Sequence, residues 1–263
     1  QEIAEHIMTT TVLEVRDVTV RFGGVVAVNR ASLTIKQGEL IGFVGPNGAG
    51  KTTLMRVITG MVKANEGQVL LMGNELAGMA VNQRIRSGLA LAQQIVQPLR
   101  AMTLLQNVAL ACGAAKTDSP FTAMASYERG SENKRALELL SQVGLGEVAD
   151  QEPAKLPLGY LKRLEVARAM ALKPKLLLLD EPLAGLNQSE AKALADLIEN
   201  LNMDGLTILL IEHNLREVMR ICPKVYVQDQ GRPLAFGPTA EIMARVDVVQ
   251  AYLGGEYFDV ASQ

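Results

Sequence analysis

Nine consecutive residues, Gly45-Pro46-Asn47-Gly48-Ala49-Gly50-Lys51-Thr52-Thr53, have the types and spacing to hold a chain of phosphates. They fit the pattern G-x-x-x-x-G-K-[ST]. Glycines let a backbone curl so that successive N–H groups point at phosphate oxygens. Lys51 can reach β- and γ-phosphates, and the Thr52 hydroxyl can ligate Mg²⁺. A pair of acids, Asp180-Glu181, ends the run Leu176-Leu177-Leu178-Leu179. Asp180 suits a carboxylate that holds Mg²⁺ directly or through water. Glu181 is then free to orient or deprotonate an attacking water, a role worth about 10²- to 10⁴-fold. His213 follows a second apolar run, Thr207–Ile211, where it can contact a γ-phosphate and hold the water. Gln94 can offer its amide oxygen to Mg²⁺ or to the water, with Gln93 and Gln97 as rivals. Phe22 can stack on adenine or fill the core. Val28 is a further candidate contact to ATP.

These residues need particular elements to position them. Glu39–Val44 reads as a buried strand and Leu54–Thr59 as the first turns of a helix, so the glycine loop opens a helix whose positive dipole end favours an anion. Val12–Phe22 and Ala31–Lys36 alternate apolar and polar residues, as half-buried antiparallel strands do. Val69–Met72 is another strand, and Val81–Ser87 a short helix. From about Gln94 to Leu164 helical spacing takes over. Glu132–Val143 carries Ala136, Leu139, Leu140 and Val143 on one face, and Thr117–Pro120 is a loop. Helices are expected over Leu161–Leu172, Ser189–Leu201, Arg216–Ile221 and Ala240–Tyr252. Asn187 or Gln188 caps the second of these, and a hairpin turns at Gln230-Gly231. Alternating buried strands and helices predict a mostly parallel sheet with helices on both faces. The fold class is therefore α/β with an N-terminal antiparallel β subdomain and an inserted helical subdomain. The expected division is a nucleotide-binding core at 12–93 and 165–252 with the helical insert at 94–164. Met8 is read as the natural start, with residues 1–7 set aside, and 253–263 is read as a loosely held tail.

The chain has 263 residues, 48% of them apolar, which is ample for one large core or two smaller ones. A net charge of −2 offers no basic stripe, which argues against a nucleic-acid partner. No uncharged apolar run approaches the roughly 18 residues that span a membrane. Cys112 and Cys222 stand far apart and read as free thiols in a reduced, intracellular chain.

In this order the residues resemble the ATP-binding cassette (ABC) ATPases over nearly the whole length. The resemblance rests on the phosphate loop Gly45–Thr53, Gln94 as the Q-loop and Leu156-Pro157-Leu158-Gly159-Tyr160 as the signature. It also rests on Leu179-Asp180-Glu181, Ala184-Gly185-Leu186-Asn187 as the D-loop and His213 as the switch histidine. Gln97–Thr103, Arg163–Ala169, the D-loop and Tyr252-Leu253-Gly254-Gly255 are similar to the branched-chain amino acid importer branch, and the Met102-Thr103 spacing favours Gln94 over Gln93. The resemblance implies ATP and Mg²⁺ as cofactors. It further implies a head-to-tail dimer with a second ABC ATPase subunit, each ATP held by the phosphate loop of one subunit and the signature and Asn187 of the other. It places the pair on the cytoplasmic face of the cell membrane beneath transmembrane permease subunits, with an extracytoplasmic binding protein supplying substrate. The signature departs from the family's L-S-G-G-Q: only Leu156 and Gly159 match. Pro157 removes a hydroxyl, and Tyr160 replaces glutamine.

Three functions compete. The first is the ATP-hydrolysing subunit of a membrane importer, for branched-chain amino acids or for urea, amides or a related solute. The second is a soluble ABC-type ATPase of DNA repair, which the missing heptad run opposes. The third is a nucleotide sensor without hydrolysis, which Lys51, Asp180, Glu181 and His213 oppose.

Overall fold

Strand β1 (Thr11–Phe22) changes the face it buries partway along. Leu13 and Val15 are buried, and then Val18 and Val20 are, so the parity of the inward positions switches. The pairing with β2 (Val25–Lys36) shifts register between Val15 and Val18, where Asp17 takes a φ of 47°. A residue in the left-handed region at such a register shift marks one form of β-bulge. Without it Val18 and Val20 would point to the other face of the sheet.

The computed structural model describes residues 10–94, 96–114 and 129–253. The segment before Met8, the loop Thr117–Pro120 and the tail Gly254–Gln263 lie outside the described residues. The chain forms two compact units, one of residues up to Arg84 with those from Glu199 onward, the other of Ile85–Ile198.

In the first unit β1 pairs antiparallel with β2 and with β4 (Glu66–Leu71), and β5 (Asn74–Glu75) follows, in the order β2-β1-β4-β5. The same unit carries β3 (Leu40–Val44), β8 (Ile208–Ile211), β9 (Lys224–Asp229) and β10 (Arg232–Pro238), in the order β10-β9-β3-β8. β3 runs parallel to both β8 and β9, and β9–β10 is the hairpin at Gln230-Gly231. β3 and β8 are buried along their whole length, which explains their unbroken apolar sequences. Helix α1 (Lys51–Thr59) follows β3, and α2 (Val81–Arg86) begins in this unit. Arg84, buried in the middle of α2, donates to the carbonyls of Val57 and Ile58 at the end of α1 and to Leu76 O. The last carbonyls of a helix have no partner within it, and a cation there also suits the helix dipole.

In the second unit β6 (Leu89–Ala92) and β7 (Leu176–Asp180) pair in parallel from Leu89↔Leu176 to Ala92↔Leu179. Helices α3 (Leu104–Ala114), α4 (Arg129–Gln142) and α5 (Leu158–Ala171) pack on one another. Ala136, Leu139, Leu140 and Val143 are buried in that packing, as their spacing predicts. The unit boundary falls within α6 (Gln188–Met203). The remaining helices, α7 (Leu215–Ile221), α8 (Thr239–Met243) and α9 (Val246–Leu253), belong to the first unit.

Two expectations are corrected. β6 lies where no strand was expected, because Leu-Ala-Leu-Ala contains few of the branched residues that announce one. The single helix expected over Ala240–Tyr252 is two, α8 and α9, interrupted at Ala244-Arg245, where Arg245 N–H turns back to Ile242 O and the Arg245 side chain pairs with Asp247.

Candidate functional site: two sheet edges carrying nucleotide chemistry

In the first unit the phosphate loop leaves the C-terminal end of β3, where ligands of open α/β sheets gather. Gly45, Gly48 and Gly50 have φ of 153°, 79° and 92°. A side chain at Gly45 would run into the carbonyl of Gln228, and one at Gly50 into that of Ala27. Lys51 opens α1, is buried, and folds its ammonium back onto Gly45 O at 2.6 Å and Pro46 O at 3.0 Å. The first turn of α1 has no acidic residue, so its positive end is not neutralised from within the helix. Thr52 is exposed. β8 pairs Phe43 with Ile211, so His213 stands two residues past the pair as Gly45 does, on the same edge. His213 is exposed, and its N–H and that of Asn214 point at the buried Glu212 carboxylate.

The second unit repeats this register. Ala92 pairs with Leu179, so Gln94 and Glu181 each lie two residues beyond. The Gln94 amide Nε2 donates to Glu181 Oε2 at 2.5 Å. Glu181 has a φ of 47°, a conformation that costs a non-glycine residue of order 1 kcal/mol or more and collects at functional sites. Asp180, the last residue of β7, is half-buried. The buried ammonium of Lys162 donates to Gln94 O at 2.6 Å and to Glu181 O at 3.3 Å. It thus ties both backbones to α5.

Lys162 is the functional residue that sequence reading missed. The signal was present: it follows Gly159 by three positions and precedes Val166 by four, on the stripe that α5 buries. A lysine on such a stripe is rarely fully covered unless it is paired.

The signature also belongs to the second unit. Pro157 is the N-cap of α5, with Leu158 its first residue, as proline's missing N–H allows. Leu158 and Tyr160 are exposed while Gly159 is buried. A Cβ on Gly159 would meet Glu190 at 3.5 Å, an ordinary contact. Leu158 also packs towards Gly185. Asn187 and Glu190 form a reciprocal cap on α6: Asn187 Oδ1 accepts from Glu190 N at 3.0 Å, and Glu190 Oε2 from Asn187 N at 3.1 Å. Phe22 is 52% exposed at the end of β1. Val28 is 0% exposed, opposite Val20. The side chain expected to touch ATP is therefore a core residue, because β2 turns it inward.

By residue type, Thr52 of the first unit offers a hydroxyl oxygen, and Asp180 and Gln94 of the second offer carboxylate and amide oxygens. The bond from Nε2 to Glu181 leaves Gln94 Oε1 for a cation. That hard-oxygen set fits Mg²⁺, which keeps waters and phosphate oxygens as its other ligands. Among the described residues no group of three or more His, Cys, Asp or Glu could hold a metal.

The model of the ABC transporter family matches residues 28–184. The ATP-binding protein LivG of high-affinity branched-chain amino acid transport in Salmonella typhimurium (strain LT2) is 39% identical over 94% of this chain and 99% of its own. BraF of Pseudomonas aeruginosa, described in the same terms, is 37% identical over 94% and 99%. The crystal structure of the ADP conformation of an ATP-binding cassette of an ABC transporter superposes with a TM-score of 0.83 at 28% identity, covering 94% of this chain and 100% of that one. A nucleotide-free cassette gives 0.80 at 27%, covering 92% and 98%. With a loop built for phosphates, a carboxylate held by an amide at a strand end and this likeness along its length, the chain belongs to the ABC transporter family, as an ATP-binding subunit that hydrolyses ATP.

Proposed function

We propose that this subunit powers an importer of branched-chain amino acids or of a closely related small nitrogenous solute. In this reading it works from the cytoplasmic face of the membrane beneath permease subunits, paired with a second ABC ATPase. The LivG and BraF likeness supports the substrate class. No described helix is long and apolar enough to cross a membrane, so the translocation path would belong to other subunits.

Gly45–Thr53 cradles the phosphates of ATP. Lys51 exchanges its loop carbonyls for phosphate oxygens. Thr52, Asp180 and Gln94 would hold Mg²⁺, which supplies charge neutralisation on the β- and γ-phosphates when bound. Glu181 orients the attacking water and takes its proton, and His213 faces the γ-phosphate. The signature and Asn187 act on the partner's ATP.

The observation that carries this reading is the hydrogen bond from Gln94 to Glu181, which supports a water-activating role for that carboxylate, coupled to the residue nearest the helical segment. Glu181→Gln should bind ATP with parental affinity, lose at least about 10²-fold in turnover, and trap an ATP-dependent dimer visible by light scattering. Parental turnover in that variant would remove Glu181 from the mechanism. Reconstitution with the permease and binding protein encoded beside it, followed by uptake of labelled leucine against labelled urea, tests the substrate class.

A further inference from the structure

We infer that Gln228 is a positioning residue for phosphate binding: its buried side-chain amide fixes the peptide between Ala49 and Gly50 so that the Gly50 N–H is aimed for a phosphate oxygen. This rests on reading Gly45–Thr53 as the phosphate loop.

Gln228 lies in β9, which runs parallel to β3 with Val44 opposite Val227, so it stands beside Gly45. The strand reads Lys-Val-Tyr-Val-Gln-Asp and is buried through Gln228, which is itself 0% exposed. An apolar residue is what such a strand calls for. Nε2 donates to Ala49 O at 2.6 Å. Oε1, equally buried, has no hydrogen-bond partner among the described residues. Reversing the amide would set two acceptor oxygens against each other at that distance, so the orientation follows from the chemistry. A buried polar atom left unpaired opposes folding. The chain therefore tolerates an opposing contribution at this position, and what it gains is the bond to Ala49.

That bond acts on the loop through the peptide plane. Ala49 O also accepts from Gly231 N at 3.1 Å, so the carbonyl is held towards the β9–β10 hairpin from two directions. In a planar trans peptide the next N–H points the opposite way. The Gly50 N–H is thus directed away from β9, and among the described residues no protein group accepts it. Gly50, at φ 92°, is the N-cap of α1. Its N–H therefore joins the donors at the start of that helix, where anions are bound. With the peptide fixed beforehand, binding does not have to order it.

The test exploits the opposite signs of the two effects. Gln228→Leu and Gln228→Met keep the volume and remove both the orphan oxygen and the donor. By calorimetry with MgATP, the Kd should rise about tenfold in each, equivalent to about 1.4 kcal/mol. The thermal midpoint without nucleotide should hold or rise by roughly 2 °C. A Kd within about twofold of the parent overturns the proposal whatever the midpoint does. So does a fall in midpoint that accompanies the loss of affinity, since the role would then be structural. Lys51→Ala, run alongside, tests the underlying reading: if it binds MgATP like the parent, Gly45–Thr53 is not the phosphate loop. If it loses binding while both Gln228 variants keep theirs, the loop stands and the inference falls.

Discussion

Gly45, Gly50 and Gly159 are glycines for different reasons. Gly45 and Gly50 have positive φ and press against neighbouring backbone carbonyls, so the fold itself demands them. Gly159 has ordinary helical surroundings and room for a Cβ. Gly159→Ala should accordingly unfold at a urea midpoint at or above the parent's, since alanine also favours helix by about 1 kcal/mol. Gly159→Asp would bring a negative charge to the start of α5. If that end meets a partner's γ-phosphate, the substitution should abolish cooperative hydrolysis and leave ATP binding by the monomer within about twofold, a difference below half a kcal/mol. Turnover against protein concentration, with calorimetry on the monomer, separates the two effects. Retained cooperative turnover would show that Leu156–Tyr160 does not act in trans.

At the level of elements, α5 has two jobs. Its N-terminus carries the signature, and one turn later Lys162 reaches the carbonyls of Gln94 and Glu181. A buried ammonium is tolerated only where its donors are satisfied. Lys162→Met leaves those carbonyls without their charged donor, and hydrogen bonds of this kind contribute about 1.5–3 kcal/mol. The expected outcome is a ten- to hundredfold fall in kcat with the Kd for ATP unchanged, because the phosphate loop is built in the other unit. Lys162→Arg should recover part of the rate. Equal losses of kcat and of binding would make Lys162 a general support of the fold. The strands bearing the chemistry were legible in the sequence because buried parallel strands read as unbroken apolar runs, as Leu176–Leu179 does. β6 was not, since Ala90 and Ala92 carry no strand preference and its identity comes from pairing with β7. The Asn187–Glu190 cap was half legible: the residue types were visible, but only the geometry shows which of Asn187 and Gln188 caps α6.

Over the whole molecule, most of the candidate chemistry was visible beforehand and the support around it was not. Lys51, Asp180, Glu181 and His213 are recognisable because their types and spacing are tied to phosphate chemistry. Lys162, Gln228 and Arg84 act on backbone carbonyls far away in sequence, and no local pattern announces such partners. Val28 faces the core because β2 extends back to Val25, while the alternation that announced this strand began only at Ala31. Cys112 and Cys222 are both buried, and neither forms a disulfide among the described residues. Burial, followed by the nearby Glu199 and Glu212 carboxylates, pushes the Cys222 thiol from the usual 9.0 to about 12. The folded chain thus holds this proton more tightly than the unfolded one. Its contribution to stability is complete below about pH 9 and is lost as pH rises towards 12. Iodoacetamide at pH 8 should leave Cys222 unmodified in the native protein and alkylate it in urea, as peptide mass mapping would report. Native modification at the denatured rate would contradict the burial.

The ordinary contact that a side chain at Gly159 would make has a consequence for reading variation in this chain. Stability screens rank positions by what the molecule requires of itself, and by that measure Gly159 is expendable. Its requirement, if α5 meets a partner's nucleotide, is imposed from outside. A harmful substitution there would yield a well-folded, abundant and nucleotide-binding subunit that enters complexes and stalls them. Mixed with intact copies, such a subunit should poison assemblies in proportion to its share, whereas lesions at Gly45 or Gly50 would be removed by failure to fold.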